Sequence, residues 1–284
     1  MVNEIGKLVL SFLNRISNNR LGSDILYIAR THQIPNYKNP RNFNDKTMNL
    51  KFSYKDNELV IKCTDKYEVR QYIEKIECEE ILNEIYGVYE SVDEIDFDKL
   101  PDKFVLKCTH GCAYNIICFD KKILDIEATK RKLNKWLKET YGWATGELHY
   151  TKIKPRIICE KFIETENNEL PVDYKFYCFN GICKGILVCS ERIKKLKLNF
   201  FNSNWQELKY IKDYERGSTD IKKPDNLKEM IEYAEKLSKD FKFVRVDLYS
   251  NEDKIVFGEL TFTPACCCAP YYSKLGNEEL GKLI

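Results

Sequence analysis

The sequence predicts an α+β protein with a mostly helical N-terminal region, and three observations carry that prediction. Apolar residues recur at helical spacing through much of residues 1–100. From Lys103 onward the pattern changes to short runs rich in β-branched and aromatic residues. Two of those runs are joined by Asn180-Gly181, a strong hairpin dipeptide. At 284 residues the chain is long enough for two domains, or one composite domain with ample core. The 46 Lys and Arg against 44 Asp and Glu leave +2, with no basic stripe, so nucleic acid is not an expected partner. The local basic run Arg192-Ile193-Lys194-Lys195 is expected to be solvated or to touch one phosphorylated ligand.

Taken in order, Ile5, Leu8, Val9, Phe12, Leu13 and Ile16 trace one face of a helix. Arg15 interrupts the apolar run, which is too short to span a bilayer. The helix is therefore expected to pack on the protein body rather than on a membrane. Asn44 is expected to N-cap a helix, with Phe43 stapled onto Met48. A further helix start at Thr64 places Lys66 in a first helical turn, a poor position for a cation unless it faces an anion. Plain exposure of Lys66 is the alternative.

A strand over 103–108, a small-residue loop over 109–114 and a returning strand over 115–119 follow. Such a loop can lie over phosphates through its backbone N–H groups, with Lys107 at its base. His110 is either a phosphate donor or an ordinary loop histidine. An amphipathic helix over 126–141 should bury Leu133, Trp136 and Leu137. A strand over 155–164 runs into a polar segment. Strands over 173–179 and 182–189 flank the Asn180-Gly181 turn, with Asp173 and Lys175 on one face. A strand near 198–201 and a helix over 226–239, announced by Pro224-Asp225, precede the last hairpin.

That hairpin carries the densest signal. Runs over 243–249 and 255–263 flank Ser250-Asn251-Glu252-Asp253, a polar turn. Phe243, Arg245, Asp247 and Tyr249 share one side of the first strand; Ile255, Phe257, Glu259, Thr261 and Thr263 share a side of the second. If odd positions face odd, Arg245, Asp247, Glu259 and Thr261 stand on one surface, close enough to share a ligand. Two carboxylates beside an arginine can hold a divalent cation against a polyphosphate. A solvated face with Asp247 paired to Arg245 is the plain alternative.

The 12 cysteines include no C-x-x-C pair, and most sit in apolar strand patterns as small hydrophobes. A reduced, cytoplasmic setting is expected. In Cys266-Cys267-Cys268 consecutive side chains splay apart, which suits a tightly packed loop near a substrate pocket better than a tetrahedral zinc site.

The order of these parts resembles the ATP-grasp fold, two α+β subdomains clasping ATP. More narrowly, FNDK, DKYEVR, DKFVLKCTHG, IKPRIICE, DYKFYCFNG, FVRVDLY and FGELTFTP resemble the TupA-like ATP-grasp family, associated with bacterial teichuronopeptide and other surface-polysaccharide assembly. The likeness covers about 42–264. It implies a helical region over 1–100, a small subdomain with a phosphate flap over 101–160 and a C-terminal subdomain with a metal site over 161–284. It also implies ATP and Mg2+ as cofactors. Lys66 and Lys107 match the lysines that reach ATP phosphates, and 109–115, with His110 and Gly111, matches the flap. Glu160, Lys161, Phe162 and Ile163 match the adenine-binding edge, and Asp173 the ribose contact. Lys175 matches a phosphate or substrate contact less closely. Asp247 and Glu259 match the magnesium carboxylates, and Arg245 the arginine steadying the phosphorylated intermediate. Thr261 stands where many relatives have asparagine, the flap has fewer glycines, and the loop after Pro264 is not glycine-rich.

What the resemblance implies for activity is an ADP-forming ligase. A substrate carboxylate takes the γ-phosphoryl of ATP, and an amine then displaces phosphate, with Arg245 and Lys107 in catalytic roles. The partners implied are a small-molecule carboxylate, an amine or glycan, and peripheral contact with membrane-bound polysaccharide machinery. The alternatives are a phosphotransferase on the same scaffold and a non-catalytic carbohydrate-binding or assembly protein.

Overall fold

The computed structural model describes residues 3–165, 170–190, 196–218, 221–251 and 254–284. The basic run at 192–195 and the Glu252-Asp253 half of the expected turn lie outside the described residues. Five helices come first: α1 (Glu4–Ile16), α2 (Leu21–Thr31), α3 (Phe43–Ser53), α4 (Glu58–Thr64) and α5 (Val69–Lys75). A four-stranded antiparallel sheet follows, built from β1 (Ile85–Tyr89), β2 (Phe104–Cys108), β3 (Asn115–Cys118) and β4 (Ile157–Lys161) in the order β1-β4-β2-β3. Helices α6 (Ile126–Lys138) and α7 (Tyr141–Thr145) connect β3 to β4. The second sheet contains β5 (Asp173–Phe179), β6 (Ile182–Ser190), β7 (Lys197–Phe201), β8 (Glu207–Leu208), β9 (Phe243–Asn251) and β10 (Lys254–Thr261). Its order is β10-β9-β5-β6-β7-β8, with α8 (Leu227–Ser238) before β9 and α9 (Lys274–Gly281) after β10. The molecule is thus α+β with a helical N-terminal region, although β1 is a strand inside the stretch read as helical.

Local chemistry explains the elements, and corrects three expectations. Asn180 (φ 50°) and Gly181 (φ 78°) both take left-handed backbone, as a type I′ hairpin turn requires. The cap of α3 is Asn42, not Asn44: its Oδ1 accepts from Asp45 N at 2.9 Å. Asn44 points inward and donates to Ala269 O at 3.1 Å. Phe43, already inside the helix, packs edge-on against Phe243 at 5.1 Å, while Met48 is buried in a separate cluster with Leu26 and Tyr27. Asp65 ends α4, and α5 starts only at Val69, because Asp65 Oδ1 accepts from Tyr67 N (2.8 Å) and Glu68 N (3.2 Å) and turns the chain. Lys66 therefore lies in the turn between two helices.

The third correction concerns α1, whose apolar stripe does not pack on the body. Ile5, Leu8, Val9, Phe12 and Ile16 are 52–72% exposed, and the helix is held by its other side through Leu10 and Asn14. Asn14 Nδ2 donates to Trp143 O at 2.8 Å and its Oδ1 accepts from Ser23 N at 3.0 Å, so hydrogen bonds rather than the stripe orient α1.

The six-stranded sheet is buried on both faces. Even-numbered residues of β9 (Val244, Val246, Leu248) pack with Phe176, Ile186 and Met230. On the odd face Phe43, Tyr177, Phe179, Phe243 and Tyr272 form a second cluster at one end only. The other end of that face carries Asp173, Lys175, Arg245 and Asp247, where neighbouring strands pair Lys175 with Asp247 and Tyr177 with Arg245. There Asp173, Arg245 and Asp247 are buried as well, so their charges need one another as partners.

Candidate active site

The β9–β10 ladder does not keep one register. Ile255 faces Ser250 and Phe257 faces Leu248, but beyond Gly258 the pairing shifts, so that Glu259 faces Asp247 and Thr261 faces Arg245. Gly258 is the extra residue of a β-bulge. Ile255 and Phe257 consequently lie in the core with Leu248, not on the side of Glu259 as strict alternation predicts. Without the bulge Glu259 would point into that core. A Cβ on Gly258 would approach Asp247 O to 2.9 Å, which explains the glycine.

On the resulting surface Arg245 grips Asp247 with two hydrogen bonds, Nε and Nη2 each at 2.7 Å. Nη2 also donates to Thr261 Oγ1 at 3.0 Å and to Glu259 Oε1 at 3.3 Å, and Thr261 Oγ1 donates to Glu259 Oε1 at 2.9 Å. Lys175 Nζ lies 2.5 Å from Asp247 Oδ2 and 2.6 Å from Asp173 Oδ2. Six of the residues singled out in the sequence thus form one network. Burial pushes the Glu259 carboxyl up, but Lys66, Arg245 and Lys175 outweigh it and hold it at about 2. Its side chain is 34% exposed, and among the described residues its second oxygen has no partner. Burial pushes the Asp247 carboxyl up, opposed by Arg245 and Lys175.

Two lysines approach, Lys66 from the turn between α4 and α5 and Lys107 from β2. Lys66 Nζ donates to Gly111 O at 2.7 Å, tying the α4–α5 turn to the loop between β2 and β3. Lys107 Nζ pairs with Glu160 at 2.5 Å. Burial pushes the Lys107 ammonium down, but the charges of Glu160 and Glu259 outweigh it and hold it above its usual range. Lys107, Glu160, Lys161, Phe162 and Ile163 line a slot of about 80 Å3 whose apolar walls include Val105 and Ile117. Phe162 and Ile163 lie past the end of β4. The slot adjoins a larger cavity, with which it shares Asn83, Lys161, Phe162 and Ile163. That cavity, of about 490 Å3 on the far side of Lys161–Ile163, is walled by both signs of charge, Arg70, Glu74 and Glu79 among them. His110 is not part of this convergence: its ring is buried, with Nε2 3.0 Å from Trp136 O.

Sequence reasoning missed Glu147. It lies just before a 3-10 turn over Leu148–Lys152, is buried, and accepts from Thr263 Oγ1 at 2.5 Å through Oε1; its Oε2 has no protein partner. Thr263 is two residues past Thr261, so Glu147 prolongs the Glu259–Thr261 row. The only sequence signal was the placing of Thr263 on the side of Glu259. Burial and then the charges of Glu147 and Glu259 push the nearby Tyr150 phenol up.

The loop after Thr263 is strained. Ala265 (φ 51°), Cys266 (φ 58°) and Cys267 (φ 63°) are three successive left-handed residues with side chains. Arg30 donates to Ala265 O at 3.2 Å, and the buried Lys51 to Cys266 O and Thr145 O at 3.5 Å. All 12 cysteines are free thiols.

A family model described as TupA-like ATPgrasp matches residues 44–284. The chain belongs to the TupA-like ATP-grasp family. Among solved structures it is similar to the ADP complex of purK, N5-carboxyaminoimidazole ribonucleotide synthetase, at 13% identity over 78% of this chain and 48% of that one, TM-score 0.46. It is also similar to the ATP complex of D-alanine–D-alanine ligase from Bacillus anthracis, at 15% identity over 71% and 55%, TM-score 0.45. The ATP-grasp ligase PsnB with Mg and ADP is similar at 11% identity over 81% and 58%, TM-score 0.42. The chain spans about half the length of these three proteins. No curated protein matches it.

This TupA-like protein has an ATP-grasp fold. Its donor set fits a hard divalent cation: oxygen ligands only, with the Glu259 carboxylate held ionised and its second oxygen open. Asp247 fits less freely, since Arg245 and Lys175 already share its charge. Among the described residues no three His, Cys, Asp or Glu side chains converge as a metal site.

Proposed function

We propose that this protein is an ATP-dependent carboxylate–amine ligase working through an acyl phosphate, and that it joins an amino acid or amine to a surface glycan or its precursor. The observation that carries the reading is the Arg245–Asp247–Glu259–Thr261 network facing Lys66 and Lys107. The family's association with surface polysaccharide supports the glycan part.

In this reading Phe162 and Ile163 meet the adenine with backbone groups beyond the β4 ladder. Lys66 and Lys107 lie against the phosphates and offset the charge that spreads over the transferring phosphoryl group. Asp247, Glu259 and Thr261 would hold magnesium, and the ion would supply positive charge to the phosphate oxygens. Arg245 steadies the acyl phosphate and then the tetrahedral adduct formed when the amine attacks. Glu147, one step along the row, receives the acceptor's ammonium before it loses its proton. The loop between β2 and β3 closes over the triphosphate and keeps water from the acyl phosphate.

ADP release across a panel of uronates and amino acids, read with product masses, tests the proposal. ADP formation that requires both a carboxylate and an amine, with an amide product, is expected. A stable phosphate ester formed without amine would overturn it in favour of a phosphotransferase.

A further inference from the structure

We propose that the α1–α2 face docks on an anionic membrane surface, with its apolar stripe at the headgroup–acyl boundary and the cations around it meeting lipid phosphates. The stripe of α1 (Ile5, Leu8, Val9, Phe12 and Ile16) faces solvent. Helix α2, packed against α1, adds exposed Leu21, Ile25 and Ile28. A water-facing helix normally turns such residues inward. Here Asn14 hydrogen-bonds to Trp143 and Ser23 and fixes α1 with its Leu10–Asn14 side inward. An apolar surface fixed outward by buried hydrogen bonds marks an interaction site.

Charge selects the occupant. Residues 1–43 carry six basic side chains against two acidic ones, although the whole chain is only +2. Helix α6 lies beside α1, with Lys135 Nζ 3.6 Å from Glu4 Oε1, and holds Lys130, Arg131, Lys132, Lys135 and Lys138 against the single acid Glu127. Apolar residues flanked by Lys and Arg are what an interfacial helix presents to acidic lipid. A twofold contact between copies of this face would bring its like charges together. Among the described residues no helix is long and apolar enough to cross a membrane, so docking lies in the membrane plane. Helices α1 and α2 lie outside residues 44–284, which match the family, and α6 lies within them.

The test is co-sedimentation of the full chain with phosphatidylcholine vesicles, with and without phosphatidylglycerol. Binding should need phosphatidylglycerol and fall about tenfold or more at high salt. A paired Leu8→Ser and Phe12→Ser variant should lose at least about tenfold in vesicle affinity, and so should paired Lys132→Glu and Lys135→Glu. These positions are exposed and the ion pairs of Lys135 lie at the surface, so circular dichroism should not change and the thermal midpoint should change only slightly. Phe12→Trp supplies a second readout, an emission blue shift on adding phosphatidylglycerol vesicles. No binding at low salt, or no blue shift, overturns the proposal. So does a dimer in light scattering that the Leu8 and Phe12 pair dissolves, which would reassign the face to self-association.

Discussion

Acidification should destabilise this protein through its buried histidines, His149 above all, because burial lowers the pKa of both His149 and His110. The His149 ring is fully buried, and neither nitrogen has a protein partner. Burial, and then the charge of Lys51, lower its pKa from 6.5 to about 3. The folded chain therefore keeps His149 neutral where the unfolded chain protonates it. The stability this contributes is complete above 6.5 and is lost as the pH falls towards 3. Each pH unit in that window costs about 1.4 kcal/mol, so about 2 kcal/mol should be gone at pH 5. Urea unfolding at pH 7 and pH 5 measures the loss. His149→Phe should unfold at a similar urea concentration at pH 7, because an aromatic ring of similar shape has no buried nitrogen to leave unpaired. It should also lack the His149 share of the acid loss. If wild type and His149→Phe lose equal stability between pH 7 and pH 5, the reasoning is wrong.

Four further outcomes follow from the site. Lys107→Ala should weaken Mg-ATP binding and cost about 3 kcal/mol of stability by leaving Glu160 buried without its partner; the pair Lys107→Met and Glu160→Gln should restore stability but not calorimetric ATP binding. Glu259→Gln should abolish ADP release while sparing nucleotide affinity more than Lys107→Ala does, since in the proposed reading Glu259 serves the magnesium and the transferring group rather than the adenine. Glu147→Gln should raise KM for the amine about tenfold or more with ATP affinity unchanged, as steady-state titration of each substrate would show. Gly258→Val should lower the urea midpoint and ADP release together, because its Cβ would meet Asp247 O at 2.9 Å and Tyr249 Cε2 at 3.1 Å, on the strand that carries the site.

Much of the fold was legible because turn chemistry and alternation are local. The Asn180-Gly181 hairpin, the strand–loop–strand around Gly111 and the final hairpin can each be read from a few neighbouring residues. Direction was harder to read. An amphipathic pattern says that α1 has an apolar side, but only the distant Trp143 carbonyl determines that this side points outward. Alternation places Ile255, Phe257 and Glu259 together, and the bulge that separates them shows only as one glycine. Helix starts depended on a choice among Asn42, Asn44, Thr64 and Asp65, all able to cap or turn a chain, and tertiary contacts made that choice. Glu147 could not be found in advance because its meaning comes from Thr263, 116 positions away.

The backbone from Ala265 to Cys267 stores conformational energy of about 1–2 kcal/mol per residue. Arg30 and Lys51, reaching from α2 and α3, are what oppose its release. Neutralising either cation would let this segment relax towards ordinary right-handed geometry. If the proposed ligase reading holds and this loop borders the acceptor, a substitution at Arg30 or Lys51 would alter substrate preference without touching a reactant.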